Sequence, residues 1–179
     1  CADLAHINLT DCRIPSENRL GEIGQGMRIA LQSISNARLS IAAGCVGGAE
    51  RCLDVSIDYA RQRRQFRRPI GSFQLVQSVL ADMATEIGAA RYLTYRAADL
   101  KDKGKPHNKE TSMAKYYASE MLVRVSADAV RLHGACGYTD DFPVERFHRD
   151  SLAATIFGGT SEIQKLTIGR ELLDINALS

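Results

Sequence analysis

Residues 26–61 read GMRIALQSISNARLSIAAGCVGGAERCLDVSIDYAR, and this stretch decides the fold of the chain. Within it, mainly apolar or small side chains recur every three or four residues, as expected for one face of an α-helix. The residues on this spacing are Met27, Leu31, Ile34, Arg38, Ile41, Cys45, Gly48, Cys52 and Val55. An unbroken helix over this range is about 54 Å long at about 1.5 Å per residue. Helices of this length usually belong to a bundle or a coiled coil.

Four further helical patterns follow, separated by connections that contain Pro or Gly. They lie around residues 75–93, 113–130 and 144–156, and from Glu162 onward. Thr160 and Ser161 precede the last pattern, and both are residue types that cap helices. Because long helices with short connections favour antiparallel neighbours, the chain is predicted to be all-α, an antiparallel helical bundle.

A different pattern precedes the helices. Ala5, Ile7 and Leu9 alternate with polar residues, which is the period of a half-buried β-strand. Since one strand is not stable alone, we expect it to be the last strand of a sheet whose other strands lie upstream of Cys1. The chain is thus predicted to comprise a short β tail, residues 1–20, and the helical bundle, residues 21–179.

Composition excludes several classes of protein. The 179 residues are 45% apolar and 25% charged, which argues against disorder and collagen-like repeats. The net charge of +2 is too small to indicate nucleic-acid binding. The longest weakly polar run, 40–49, is too short to span a membrane. The cysteines are odd in number without a CxxC pair, which predicts a reducing compartment, and the histidines lack the spacing of a metal site.

Residues 61–68 read RQRRQFRR, with five arginines in eight positions. The segment is compatible with a solvated helix end, where cations favour the negative end of the helix dipole. It is equally compatible with a phosphate site, because guanidinium groups pair well with phosphate oxygens. A nucleic-acid site is disfavoured by the near-neutral total charge. From the residues alone, the first two interpretations have equal weight.

Two glycine-containing segments also invite a functional interpretation. Residues 44–48, GCVGG, lie in the middle of the first helix, so close helix packing is a better interpretation than a phosphate loop, which would follow a strand. Residues 157–164, FGGTSEIQ, place two glycines before a polar helix start. Such a start presents free N–H groups to an anion or another polar ligand, but the pattern alone also fits a simple loop and cap.

Taken in order, several motifs resemble one family. They are residues 9–15 (LTDCRIP), 59–66 (YARQRRQF), 73–74 (FQ), 132–138 (LHGACGY), 141–146 (DFPVER), 149–150 (RD), 158–164 (GGTSEIQ) and 169–172 (GREL). Each motif is modest alone, but their order and separations are specific. The chain resembles the C-terminal half of an acyl-CoA dehydrogenase, a family with a helical N-terminal domain, a middle β domain and a C-terminal helical bundle. The resemblance implies that residues 1–20 are a remnant of the middle β domain.

The resemblance implies an FAD-dependent enzyme that introduces a Cα–Cβ double bond into an acyl thioester. In this family a glutamate removes the α-proton and the flavin accepts a hydride, while the protein supplies position and electrostatics. The cofactor-binding residues implied by position are Arg63, Gln65 and Phe66 beside the pyrophosphate, Gln74, Arg131 and Ala135 on the dinucleotide, and Thr160 and Glu162 on a neighbouring subunit's flavin. Arg38 corresponds to a family arginine near the substrate, whereas Arg67 and Arg68 are expected to be surface residues. No metal is implied.

The sequence departs from the family at its catalytic base. The usual glutamate corresponds to Gly158, and the alternative position used by some members, on the first long helix, corresponds to Ala37. Neither residue can accept a proton, so the base is not identified; Glu17, Glu22 and Glu50 are not at matched positions. A further departure is Arg131, which replaces the usual glutamine.

The sequence therefore leaves three functions open: an acyl-CoA dehydrogenase with an unusual base or substrate, a specialised or non-catalytic relative, and a helical interaction module without flavin. The resemblance implies an acyl-CoA or acyl-carrier thioester as substrate and an electron-transfer flavoprotein as electron acceptor. It also implies a homo-oligomer, dimer or tetramer, in the cytoplasm, or in the mitochondrial matrix if the source is eukaryotic. No nucleic acid and no membrane span are expected.

Overall fold

A computed structural model describes residues 5–175, and within them the all-α prediction is confirmed. The described residues form five α-helices: α1 (Gly26–Gln62), α2 (Gln74–Asp102), α3 (Asn108–His133), α4 (Val144–Ile156) and α5 (Ser161–Leu173). A two-stranded antiparallel sheet, β1 (Arg64–Gln65) and β2 (Arg68–Pro69), lies in the connection between α1 and α2. Short 3-10 helices at Ser16–Asn18, Ile70–Ser72 and Gly134–Tyr138 complete the architecture.

Helix α3 is the centre of the bundle, because it packs against each of the other four helices. The core is built largely from small side chains at helical spacing, so the helix axes approach closely. Fully buried alanines of this kind are Ala42, Ala49, Ala90, Ala97, Ala114, Ala118 and Ala129. Met83, Met121 and Val125 fill the remaining space between α2 and α3.

The cysteines of α1 are core residues, as their spacing predicts. Cys45 and Cys52 are both buried, and burial raises the pKa of Cys45 to about 11 and that of Cys52 to about 12. Such thiols are inert at neutral pH because the thiolate is the reactive form. Within the described residues, Cys12, Cys45, Cys52 and Cys136 are all free thiols; Cys1 lies outside those residues.

The strand expected at Ala5–Leu9 is absent: these residues have no regular structure and are exposed. A strand needs a hydrogen-bonded neighbour, and the described part of the chain supplies none beside this segment. The apolar and polar residues of this segment are all exposed, with Ile7 and Leu9 at 84% and 77%, so the sequence alternation does not correspond to a buried face in this structure.

The glycine segment of α1 is helical throughout, as predicted, but only one of its glycines contributes to helix packing. A Cβ on Gly48 would touch the Leu122 and Phe147 side chains, at 3.4 and 3.6 Å. Gly44 and Gly47 have no such neighbour within 4 Å. The close-packing interpretation therefore holds for Gly48 and is wrong for the other two.

Candidate functional site

The connection between α1 and α2 presents a tight hairpin whose turn residues have unusual backbone angles. Phe66 and Arg67 have φ of 52° and 64°, a left-handed conformation that matches the twist of a two-residue hairpin. This turn directs the Phe66 ring outward, where it is 86% exposed and meets Phe73 edge-on at 6.0 Å. A large exposed aromatic side chain held by a rigid turn is suited to stacking against a ligand.

A cavity of about 690 Å³ opens beside this hairpin, and three of the predicted cofactor residues line it: Gln65, Phe66 and Gln74. Arg68 also lines it, with its guanidinium 4.0 Å from the centre of the Phe73 ring. Arg68 is exposed, as expected of a surface residue, and it also contributes to the lining of this cavity. Sequence spacing offered no signal, because the stacking depends on how the hairpin folds back toward α2.

Arg131 lies next to this cavity but not in it. It lines a smaller cavity of about 230 Å³ that shares Leu75 and Val76 with the first. Its side chain is 79% exposed and forms an ion pair with Asp128 at 3.3 Å. Ala135 is exposed on the following 3-10 helix and lines neither of these cavities.

Arg63 faces a different cavity from its predicted companions. It lines a space of about 480 Å³ on the other side of the connection, with Arg51, Asp58, Tyr59 and Phe142 among the other lining residues. The structure therefore brings Gln65, Phe66 and Gln74 together, but it places Arg63 on a separate surface.

An aromatic cluster supports the loop that carries Ala135. The Tyr59 ring stacks on His133 with centroids 4.3 Å apart, and Phe142 packs against both. His133 Nδ1 donates to the Ala129 carbonyl at 2.7 Å, while its Nε2 is buried without a hydrogen-bond partner. Burial therefore lowers the pKa of His133. Behind the loop, a Cβ on Gly137 would lie 2.5 Å from the Val130 carbonyl oxygen, so only glycine fits.

A second region joins Arg38 to the loop between α4 and α5. Arg38 Nε donates a hydrogen bond of 3.2 Å to the carbonyl of Gly158. This contact places the two positions that lack a glutamate, Ala37 and Gly158, on neighbouring surfaces. Ala37 lines an apolar cavity of about 440 Å³ with Ile41, Cys45 and Phe157 among its other walls.

The Gly158–Gly159 turn is adapted to glycine. Its two residues have φ of 68° and 93°, a conformation that other residue types rarely adopt. A Cβ on Gly158 would also lie 2.5 Å from Ile41 Cδ1. A glutamate at position 158 would therefore be strained in this backbone, whereas position 37 lies on the exposed face of a regular helix.

Thr160 and Glu162 occupy the first turn of α5. The Thr160 side chain caps the helix by accepting a hydrogen bond from the Ile163 N–H at 3.4 Å, as its residue type predicts. Ser161 is the first helical residue rather than a cap, and its hydroxyl donates to Glu120 Oε1 at 2.5 Å. Glu162 is exposed, and hydrogen bonds from its own backbone N–H and from Thr160 lower the pKa of its carboxyl.

Two of the alternative carboxylates, Glu22 and Glu50, are paired with arginines. Glu22 pairs with Arg19 at 3.8 Å, and Glu50 pairs with Arg91. Glu50 is also 13 residues along α1 from Ala37, which is about 20 Å at 1.5 Å per residue. Within residues 5–175, no three or more His, Cys, Asp or Glu side chains are grouped to hold a metal ion.

None of the helices described in the structure has both the length and the apolar character that crossing a bilayer requires.

Comparison with known proteins identifies the family. The model of the "Acyl-CoA dehydrogenase, C-terminal domain" family matches residues 24–173. The chain is 46% identical over 172 residues to the probable acyl-CoA dehydrogenase YngJ of Bacillus subtilis, covering 96% of this chain and 45% of that protein. The chain therefore belongs to the acyl-CoA dehydrogenase family.

Solved structures agree with this assignment. Butyryl-CoA dehydrogenase from Megasphaera elsdenii superposes with a TM-score of 0.86 at 41% identity, over 89% of this chain and 42% of that one. A structure described as PigA with FAD and proline superposes with a TM-score of 0.85 at 32% identity, over 91% and 43% of the two chains. The chain thus spans less than half the length of these relatives.

Proposed function

We propose that this chain is the C-terminal portion of an FAD-dependent acyl-CoA dehydrogenase that forms a Cα–Cβ double bond in an acyl thioester. The observation that carries the proposal is the gathering of Gln65, Phe66 and Gln74 around one cavity, at positions implied by the family resemblance. A helical interaction module without flavin offers no reason for these side chains to converge.

The chemistry of this cavity fits FAD. The amides of Gln65 and Gln74 offer hydrogen bonds to a dinucleotide, the guanidinium of Arg68 complements phosphate, and the exposed Phe66 ring offers a stacking surface. Two further cations line other cavities: Arg63 the separate one on the other side of the connection, and Arg131 the smaller one. A bound FAD supplies the hydride acceptor in this chemistry.

The remaining parts of the enzyme would cover the exposed apolar residues of the N-terminal segment. Ile7, Leu9, Ile14, Leu20 and Ile23 are each at least 68% exposed, and contiguous exposed apolar surface usually marks an interface. We therefore assign residues 1–20 to the end of a middle β domain and residues 21–179 to the C-terminal bundle.

This chain has no proton-accepting side chain at either position where the family carries its catalytic glutamate. Ala37 and Gly158 are adjacent to Arg38, so the residues that remain orient a substrate without accepting a proton. The proton acceptor of the dehydrogenase would be a carboxylate contributed by another part of the full-length protein. The apolar cavity beside Ala37 suits a hydrocarbon acyl group.

The same observation supports a second candidate, a specialised or non-catalytic relative that retains the flavin site. In that case the cofactor residues remain, and the empty base positions reflect the loss of ordinary α-deprotonation. The two candidates share FAD binding and differ in turnover.

The partners follow from the family. The substrate would be a thioester of CoA or of an acyl carrier protein, and the electron acceptor an electron-transfer flavoprotein. The enzyme would be a homo-oligomer, dimer or tetramer, because Thr160 and Glu162 serve a neighbouring subunit's flavin in the family. We place it in the cytoplasm, or in the mitochondrial matrix of a eukaryote.

Turnover of the full-length protein with a panel of acyl-CoAs and an artificial electron acceptor tests the proposal. Formation of a 2-enoyl thioester supports the dehydrogenase. A flavin-containing protein that turns over none of the panel favours the second candidate, and a protein unable to bind FAD overturns both.

A further inference from the structure

Lys115 is a charged residue in the interior of the bundle. It lies in the middle of α3 with none of its surface exposed to solvent. Its ammonium donates a hydrogen bond of 2.9 Å to the carbonyl of Gly159. Within the described residues no carboxylate is in ion-pair contact with it, and burial lowers its pKa. Burying a cation carries a large desolvation free energy unless polar groups bond to it. The hydrogen bond to the Gly159 carbonyl is therefore the contact that satisfies this ammonium.

The Gly159 carbonyl belongs to a small network that holds one turn from three helices. Gly158 O accepts from Arg38 Nε of α1 at 3.2 Å and from Gln164 Nε2 of α5 at 3.3 Å. Gly159 O accepts from Gln164 Nε2 at 2.9 Å and from Lys115 of α3. Two consecutive carbonyls therefore receive four hydrogen bonds, two of them from cations.

This network stabilises a backbone that has little local support. Both glycines have positive φ, and glycine loses more conformational freedom on folding than any other residue. Charge-assisted hydrogen bonds are stronger than neutral ones, so the two cations offset this cost. The turn leads directly into Thr160, whose side chain caps α5.

The electrostatic surroundings keep the cation in place. The carboxylates of Glu120 on α3 and Glu162 on α5 raise the pKa of Lys115 and so partly offset the effect of burial, whereas Arg38 on α1 lowers it further. Glu120 is in turn fixed by the hydroxyl of Ser161 at 2.5 Å. Lys115 thus connects the central helix with both sides of the turn.

We infer that Lys115 is a positioning residue: its buried ammonium fixes the Gly158–Gly159 turn against Arg38 and thereby sets the position of Thr160 and Glu162. The consequence for flavin rests on the proposed function, in which Thr160 and Glu162 contact the cofactor. The consequence for the turn itself does not depend on flavin.

Amide hydrogen exchange of the full-length protein, with and without Lys115→Met, tests this inference in the absence of FAD. The amides of Ile163 and Gln164 report on the turn, because both donate to Thr160. We expect them to exchange on the order of tenfold faster in the variant, because the turn that positions Thr160 loses a charged hydrogen bond. Exchange in α2 should stay within twofold of the wild type. Lys115→Arg, which keeps a cationic donor, should retain more protection at these two amides than Lys115→Met. Lys109→Met, on the same helix and with a side chain that is 36% exposed, is the control and should change neither region.

A general loss of packing would accelerate exchange throughout α1, α2 and α3, and that result would overturn the inference. Unchanged exchange at Ile163 and Gln164 in the folded variant would overturn it as well. If Lys115→Met does not fold, the milder Lys115→Gln is measured with the same criteria. FAD affinity, measured separately, should fall about tenfold in Lys115→Met. A wild-type protein that binds no FAD would refute the proposed function while leaving the exchange result interpretable.

Discussion

The α1–α2 connection and the Gly158–Gly159 turn achieve rigidity in different ways. The connection is exposed and is held by local features, the hairpin turn at Phe66 and Arg67 and the stacking of Arg68 on Phe73. The turn is held by donors from distant parts of the chain: Lys115 is 44 residues and Arg38 is 120 residues away in sequence. The first arrangement leaves functional side chains free for a ligand, while the second uses its charged side chains to fix backbone.

The largest effect is expected at the turn and at the α1 surface beside it, when a glutamate is placed in each empty base position. Ala37 is exposed on a regular helix, so Ala37→Glu adds a carboxylate without strain. If the protein is the second candidate, the relative without ordinary turnover, we expect this variant to introduce acyl-CoA dehydrogenation, since a positioned general base contributes roughly 100-fold or more. Gly158→Glu should give a smaller gain, because position 158 has positive φ and its Cβ would meet Ile41.

Steady-state turnover of both variants against the wild type measures this prediction. Ala37→Gln is the matched control, since its amide has similar size and cannot accept the proton. Equal activity of Ala37→Glu and Ala37→Gln would contradict the assignment of this surface to the reacting carbons.

In the exposed connection, loss of a single cation should weaken cofactor binding. Arg63→Ala should raise the FAD dissociation constant by roughly 10- to 100-fold, the value of one charged hydrogen bond. Arg61→Ala is the control, because Arg61 is exposed in the last turn of α1 and lines none of the cavities described above. Titration of each apoprotein with FAD, followed by flavin fluorescence, gives the two dissociation constants. An equal loss of FAD affinity in both variants would indicate only a general effect of charge.

In the Gly158–Gly159 turn, substitutions that restrict the backbone should instead lower the stability of the protein. A Cβ on Gly159 would lie 2.7 Å from Gln164 Nε2, at a φ of 93°. Gly159→Ala should therefore lower the free energy of unfolding by about 1–3 kcal/mol. Gly169→Ala in α5, where a Cβ meets nothing within 4 Å, should instead be neutral or stabilising by up to about 1 kcal/mol. Chemical denaturation of the full-length variants distinguishes the two, and similar losses would refute the special role of the turn.

The smallest expected effect concerns His133, in the aromatic cluster that supports the loop carrying Ala135. Burial lowers the pKa of His133 in the folded state, so the unfolded chain binds the proton more readily. Stability should consequently fall as pH decreases below about 6.5, the ordinary pKa of histidine. His133→Gln should remove this part of the pH dependence in thermal unfolding measured between pH 5 and 8. If stability depended on pH equally in the variant and the wild type, groups other than His133 would be the cause of that dependence.

The five helices follow from the sequence because their apolar spacing is regular and their ends carry Pro, Gly or capping residues. Helix α4 begins at Val144 and ends at Ile156, as the pattern predicts. The strand at Ala5–Leu9 fails for the opposite reason: alternation specifies a face, but a strand also requires a neighbour.

In the candidate site, too, sequence patterns identify residues in local motifs but not contacts between distant parts of the chain. Motifs predict Gln65, Phe66 and Gln74 as cofactor residues, and the structure brings these three together around one cavity. No motif identifies Lys115, although its position has one signal: it lies at core spacing between Thr111 and Ala118 on α3. Its partner, the Gly159 carbonyl, is a backbone atom, and no sequence pattern identifies which buried side chain will meet it.

The central claim is that the chain carries part of a flavin site, and the absorbance spectrum of the purified full-length protein tests it most directly. We expect a visible flavin band that bleaches under anaerobic conditions when a suitable acyl-CoA is added. A colourless protein that cannot be reconstituted with FAD would contradict the account.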